Sequence, residues 1–460
     1  MPLDAASLRW LKRLTRDGRP LYLAIAEALE AAVREGELQP GDQLPPQRAV
    51  AEALGIDFTT VTRAYGAARA RGLLEGAVGR GTFVRGRAAE DEAGLVDLSM
   101  NLPPPPDGIS LGAQLRAGVD AILARTDAAT LMAYHPGAGT LGQKAAGAAW
   151  LAPVLGDVPP ERLMVAPGAQ TALAAALQAL ARPGDALIVE PLTYPGLIAI
   201  AGRYGLRMIP CPVDDEGFQP EALARLCADE RATAIYLVPT TQNPTCATMG
   251  LARRREIAAI AEAAGAWLFE DDPYSRLFDA PAPALAGLAP TRGVYIATLS
   301  KCLTPGLRIA YLMAPAGEAS ERCAESLRAL GLMAPPLMAA LATAWIREGT
   351  AEAILAGVRR EARARRAIAR ETLPRARGAD EALHVWLDLP AGTDSGQLRL
   401  MAQQRGLALV TAEAFSAGPG HPNGVRVSLG GPAKRAVLAQ SLQTLAGLVG
   451  RGPAARPMVV

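Results

Sequence analysis

The sequence predicts two folds in one chain. A winged helix-turn-helix stands first. A large α/β domain with a mostly parallel sheet follows, ending in a smaller α+β unit. Three observations predict this. Over roughly the first 90 residues, apolar side chains fall at helical spacing in three segments and then in a glycine-rich hairpin. From 163 to about 310, short apolar runs of strand length alternate with helical patterns, the signature of a sheet with helical crossovers. After about residue 330 long helical patterns take over, and the tail returns to short strands at 384–389 and 424–429.

The bulk properties set limits. At 460 residues the chain can bury two or three full cores. It is 50% hydrophobic and 20% charged, which makes it globular rather than disordered. Its net charge of +2 says nothing about partners until it is divided by region. Cys211, Cys227, Cys246, Cys302 and Cys323 form no C-x-x-C pair and the histidines are scattered, so no metal site is expected. The odd cysteine count and the lack of a secretory signal favour a reducing cytoplasm. No run of apolar residues is long enough to suggest a membrane span.

The first helix is predicted from Leu21, Ala24, Ile25, Ala28, Leu29 and Ala32. The second, over 44–54, is entered through Pro45 and Pro46 and stopped by Gly55. Asp57 caps a third, which runs from Phe58 to about Arg71. A hairpin flanks 76–81. Between Arg63 and Arg87 six arginines (63, 69, 71, 80, 85 and 87) stand against one acid, Glu75, a local balance of +5 that suits a phosphate backbone. The strings L-P-P-Q-R, T-T-V-T-R-A-Y and G-R-G-T-F-V resemble the GntR superfamily of bacterial regulators. That resemblance implies DNA contacts from Arg48, Thr59, Thr60, Thr62, Arg63, Gly79 and Arg80. Phe58 departs from it: many members carry Arg or Ser there, and a phenyl ring can only pack or meet a thymine methyl.

This domain is expected over 15–86 and a small, acidic linker over 87–96. The second domain is expected over 97–450. Pro103 to Pro106 read as a stiff extended arm lying on a surface. Next come strands at 163–166, 186–189, 234–238, 267–270 and 293–297. The last empties into Thr298, Ser300 and Lys301, and Arg308 follows after Pro305 and Gly306. Two hydroxyls and a forked cation suit a phosphate dianion. A lysine beside an anchored phosphate and an aldehyde is what a covalent pyridoxal phosphate site requires. Gly168 opens a helix whose first N–H groups also suit phosphate. A buried carboxylate at the end of 267–270 needs a cationic partner.

The lysine stretch, Q-N-P at 242–244 and D-x-x-Y at 271–274 together resemble the fold-type I aminotransferases of the aspartate aminotransferase superfamily. The resemblance implies pyridoxal 5′-phosphate bound covalently at Lys301. It puts Ala169, Gln170, Thr298, Ser300 and Arg308 at the phosphate and Tyr194 on the ring. Asn243 and Tyr274 fall at the 3′ oxygen, and Asp271 at the ring nitrogen, with Asp272 as its rival. Tyr134 is implied to reach the phosphate of a neighbouring subunit, which requires a homodimer. Arg426 is implied to bind a substrate carboxylate. Cys246 stands where many members have glycine, so the turn there must tolerate a Cβ. Arg359, Arg360, Arg363, Arg365, Arg366 and Arg370 are spread by helical spacing around a long solvated helix rather than forming a nucleic-acid patch.

Taken whole, the chain resembles the MocR subfamily of GntR regulators. The implied function is a transcriptional regulator that binds operator DNA and senses pyridoxal phosphate or an amino-group ligand. The alternative is a metabolic aminotransferase with a tethered DNA-binding domain.

Overall fold

The computed structural model describes residues 10–14, 18–35, 37–38, 42–77, 81–84, 95–135, 137–390 and 392–450. The chain divides into two compact units, 1–93 with 110–117, and 94–109 with 118–460.

In the first unit the helices Leu21–Arg34, Gln47–Leu54 and Phe58–Ala70 precede an antiparallel hairpin of Leu74–Ala77 and Gly81–Val84. The second helix begins at Gln47, three residues later than the apolar pattern suggests, because Pro46 holds an extended conformation. Gly55 ends it in the left-handed region at φ 63°. Asp57 caps the third helix by accepting from the Thr59 N–H at 2.8 Å. Ile25, Leu29, Val50, Val61, Tyr65, Leu74 and Val84 form the core. Trp10 is buried in it too, five residues before the domain start drawn from the sequence. The Tyr65 hydroxyl donates to the Pro45 carbonyl at 3.0 Å, tying the third helix to the entry of the second.

The second unit is built on a seven-stranded sheet. Its spatial order is Leu163–Ala166, Ala310–Met313, Gly293–Thr298, Trp267–Asp272, Ala234–Leu237, Ala186–Val189, Arg207–Pro210. Ala310–Met313 runs antiparallel to both its neighbours, and the other pairings are parallel. This strand and Arg207–Pro210 are two that the sequence pattern did not separate from their surroundings. The smaller sheet pairs His384–Asp388 with Gly424–Ser428 and that strand with Val410–Thr411, all antiparallel.

The segment leading to the proline arm is paired: Val96–Asp97 runs parallel to Leu407–Ala408, and Leu98 is fully buried. In the arm Pro104 is buried, Pro103 and Pro106 are half-buried and Pro105 is exposed. Gly430 lets the backbone before the prolines approach closely: a Cβ there would stand 1.8 Å from the Leu102 carbonyl oxygen. The arginine helix, Thr350–Thr372, departs from its expectation on one side only. Arg365 and Arg366 are buried. Arg365 donates to the carbonyls of Leu429 and Pro432 at 2.8 and 2.6 Å, and Arg366 to that of Gly378 at 3.0 Å. Arg359 donates to the Arg276 and Phe278 carbonyls. Arg360, Arg363 and Arg370 stay in contact with water and pair with Asp107, Asp279 and Asp380. No helix of the described residues is long and apolar enough to cross a membrane.

Candidate functional site

The C-terminal ends of the large-sheet strands open into a cavity of about 570 Å³. Ala169, Gln170, Tyr194, Asn243, Asp271 and Tyr274 line it. So do Thr298, Ser300, Lys301, Arg308 and Arg426. One chain therefore brings together every site residue expected in the α/β domain except Tyr134. Tyr134 is 78% exposed and does not line the cavity.

One end of the cavity gathers a helix N-terminus, two hydroxyls and a guanidinium, a set that suits an anion. Gly168 stands before the helix Ala169–Leu180 at φ 101°, and a Cβ on it would lie 2.4 Å from an Arg308 Nη2. Arg308 sits in the left-handed region at φ 52° and donates to the Pro167 carbonyl at 3.4 Å, which holds its guanidinium across the helix N-terminus. The Ser300 N–H donates to Thr298 Oγ1 at 3.1 Å, so the two hydroxyls share one side of this end. Gly168→Ala is expected to displace Arg308 and weaken anion binding about tenfold or more, because the left-handed strain and the collision add. Isothermal titration with inorganic phosphate checks this.

Lys301 Nζ donates to the Asn101 carbonyl at 2.5 Å. Burial, then the nearby Arg426, lower its pKa to about 8, so a usable fraction of the amine is neutral and nucleophilic near physiological pH.

The two rival carboxylates are unequal. Asp272 accepts from the N–H groups of Tyr274 at 3.3 Å and Ser275 at 2.9 Å, and from the Tyr295 hydroxyl at 2.7 Å. Its oxygens are occupied by its own chain. Asp271 accepts from the Tyr236 hydroxyl through Oδ2 at 2.8 Å, while its buried Oδ1 has no partner. Burial is the main cause that pushes the Asp271 pKa up to about 6. An orphaned carboxylate oxygen at a cavity wall is built to receive a cation or an N–H donor.

Tyr194 precedes the helix Pro195–Tyr204, and its ring lies so close to Gly196 that a Cβ there would stand 2.3 Å from Cε1. Asn243 Oδ1 accepts from Arg426 Nη1 at 2.7 Å. Arg426 also donates to the Ser99 carbonyl and lies with its guanidinium carbon 4.9 Å from the Phe415 ring centre. It is 7% exposed, its Nε has no hydrogen-bond partner, and among the described residues no carboxylate forms an ion pair with it. Cys246 takes the left-handed conformation at φ 64° despite its Cβ. Its side chain packs with Leu192, Trp386, Ala412 and Phe415, and this packing compensates for the strain.

Sequence reasoning missed a second layer. Asn101 Nδ2 donates to the Tyr274 hydroxyl at 2.8 Å and bonds His384 Nδ1 at 3.1 Å. His384 Nε2 in turn meets the Gln242 carbonyl at 3.3 Å, which fixes the tautomer with the proton on Nε2. Burial drops the His384 pKa to about 3, so the ring is neutral and acts as a fixed acceptor. The four prolines after Asn101 were the only available signal.

In the first unit Arg48, Thr59, Thr62 and Arg63 are exposed and Thr60 is half-buried. The Arg63 guanidinium stacks over the Tyr22 ring at 4.3 Å, and Thr62 Oγ1 donates to Gln47 Oε1 at 2.8 Å. Phe58 is 44% exposed at the start of the same helix. Arg71, counted in the local charge, is paired with Glu30 at 2.8 Å. Gly79 and Arg80 lie outside the described residues, as do Arg85 and Arg87.

Residues 93–442 match the family model of aminotransferase class I and II, and residues 21–84 that of bacterial regulatory proteins of the gntR family. The chain is 31% identical to the uncharacterized HTH-type transcriptional regulator YdeF of Bacillus subtilis, over 97% of this chain and 98% of that one. It is 30% identical to the HTH-type pyridoxine biosynthesis transcriptional regulator PdxR of Corynebacterium glutamicum, over 88% and 91%. Among solved structures, LysN of Thermus thermophilus, an alpha-aminoadipate aminotransferase complexed with N-(5'-phosphopyridoxyl)-L-leucine, superimposes with a TM-score of 0.71 at 25% identity, covering 78% of this chain and 92% of that one. A helix-turn-helix unit followed by a fold-type I aminotransferase unit, in a chain matched along nearly its whole length by an HTH-type transcriptional regulator, shows that the chain belongs to the MocR subfamily of GntR-type transcriptional regulators.

Proposed function

We propose that the C-terminal unit of this regulator holds pyridoxal 5′-phosphate and reports its presence, or that of an amino-group ligand, to an operator-binding N-terminal unit. The observation that carries this is the orphaned Oδ1 of Asp271 opposite a lysine with a lowered pKa and an anion cradle, all on one cavity. The residues present fit the cofactor. Arg308, Ser300, Thr298 and the N–H groups of Ala169 and Gln170 would hold its phosphate. Lys301 would take its aldehyde, Asp271 its ring nitrogen, Tyr194 its ring face, and Asn243 and Tyr274 its 3′ oxygen. When bound, the group supplies an electrophilic carbon for amines and an electron sink. The chain then contributes orientation and charge: Asp271 holds the ring nitrogen protonated, and Lys301 can accept or return a proton.

Tyr134 is proposed to serve a second copy of the chain, which makes the working unit a two-fold homodimer. Its 78% exposure supports this, since a tyrosine in a Pro-Gly loop would otherwise bury its ring. We keep 15–86 and 97–450 as the working domains, joined by a linker over 87–96.

The N-terminal unit is proposed to bind double-stranded DNA in the cytoplasm through Arg48, Thr59, Thr60, Thr62 and Arg63, with Gly79 and Arg80 from the wing. The exposed Phe58 would face a thymine methyl. Arg48→Ala and Arg63→Ala are each expected to weaken binding to the chain's own upstream DNA and to lower the salt slope by about 1. Fluorescence anisotropy over a salt series checks this.

A second reading, a working aminotransferase, is favoured by the presence of the whole catalytic set on one cavity. Turnover of an amino donor with a 2-oxo acid, measured beside DNA binding, separates the two.

A further inference from the structure

We infer that Asn101 and His384 are positioning residues. Through a one-way chain of hydrogen bonds they turn the proton of the Tyr274 hydroxyl into the cavity, which makes it a fixed donor to an oxyanion there. This rests on the cofactor reading above, in which that oxyanion is the 3′ oxygen.

The chain starts at a group that cannot reverse. The Gln242 carbonyl only accepts, so His384 Nε2, 3.3 Å away, carries a proton. The neutral ring then has a bare Nδ1, which can only accept. Its partner at 3.1 Å is Asn101 Nδ2, and this contact fixes which way the Asn101 amide faces. The same nitrogen stands 2.8 Å from the Tyr274 hydroxyl. An amide nitrogen donates and does not accept, so the Tyr274 oxygen is the acceptor and its own proton turns elsewhere. Among the described residues no other hydrogen bond reaches this hydroxyl. Tyr274 lines the cavity beside Asn101 and Lys301, and the cavity is where its proton is free to go. All four members are buried inside one chain, so the order does not depend on what a second copy brings to the site.

A donor held on the 3′ oxygen stabilises its anion and weakens its grip on a proton shared with the lysine nitrogen. The relay therefore lowers the pH at which the bound cofactor changes colour. Arg426, Asp271 and Cys246 also act on Tyr274, and Arg426, Asp271 and Arg308 on Lys301, but all of them stay in place when the relay is broken. The Asn101 carbonyl that accepts from Lys301 Nζ is backbone and survives a change of side chain.

The test follows the absorption of full-length protein loaded with pyridoxal 5′-phosphate across a pH series. Asn101→Leu and Tyr274→Phe are each expected to raise the pH of the colour change by about one unit. The double variant should move no further than Tyr274→Phe alone, because Asn101 acts through the tyrosine. His384→Gln, whose amide can accept from Asn101 and donate to Gln242, should keep the wild-type value, while His384→Leu should raise it. This pair carries the test if Asn101→Leu does not fold. A colour change left at the wild-type pH by Asn101→Leu or Tyr274→Phe overturns the inference. So do shifts that add in the double variant, or His384→Gln and His384→Leu behaving alike. Borohydride reduction and peptide mapping of the wild type separate the levels of failure. If Lys301 carries the label and the colour change ignores Asn101, only the relay is wrong. If Lys301 is unlabelled, the cofactor reading falls and the inference with it.

Discussion

Lys301→Ala is expected to abolish covalent retention of the cofactor altogether. After borohydride treatment and denaturation the wild-type chain should keep pyridoxal 5′-phosphate on Lys301 and the variant should keep none. The residues proposed to hold the phosphate make no hydrogen bond to Lys301: Arg308 donates to the Pro167 carbonyl beside Gly168, and Ser300 to Thr298. The variant should therefore still bind the cofactor reversibly, with the absorption of a free aldehyde. The cofactor-free variant should not be less stable, because a buried lysine whose pKa is lowered to about 8 disfavours folding at neutral pH. Between pH 8 and the usual lysine range the unfolded chain binds more protons, so the wild-type penalty is full below pH 8 and fades above it. Peptide mapping of the reduced protein and a thermal melt check both halves.

Substitutions at the neighbouring acids are expected to diverge by a hundredfold or more in cofactor affinity. Asp271→Asn removes the carboxylate proposed to face a protonated ring nitrogen. Breaking a buried ion pair costs about 3–5 kcal/mol, which is more than a hundredfold in affinity. In the absence of cofactor the same change should be neutral or stabilising above pH 6. The folded pKa of Asp271 is raised to about 6, so its destabilising charge is absent in acid and complete once pH rises past that value. Asp272→Asn should do the opposite. It disturbs acceptors for Tyr274, Ser275 and Tyr295, lowering stability by about 1–3 kcal/mol while leaving cofactor affinity within a few fold. Calorimetry on both variants, with and without cofactor, measures each number.

Much of this site was legible because an α/β sheet presents its ligands just after its strands. Lys301, Asp271, Asn243 and Gly168 each follow an apolar run that could hardly be anything but a strand. The choice between Asp271 and Asp272 rested on spacing. The sheet supplies the physical reason they differ: adjacent strand residues face opposite sides. Asn101 and His384 lie 283 residues apart, and no local pattern announces a contact across that distance. The arginine helix misled for a related reason. Periodicity tells which residues share a face but not that loops will bring carbonyls to Arg365 and Arg366.

We propose that the cavity and the helix Phe58–Ala70 belong to one switch. A ligand can shift such a switch only by favouring one state of the protein over another. The most direct measurement is the affinity of the full-length protein for its own upstream DNA, titrated with pyridoxal 5′-phosphate and then with each common amino acid in turn, in wild type, Lys301→Ala and Arg426→Ala. At least one ligand is expected to change DNA affinity about fivefold or more in wild type, and the response to be lost with Lys301 for the cofactor or with Arg426 for an amino acid. DNA affinity that none of these ligands alters, in protein that converts amino donor and 2-oxo acid at enzymatic rates, would contradict it.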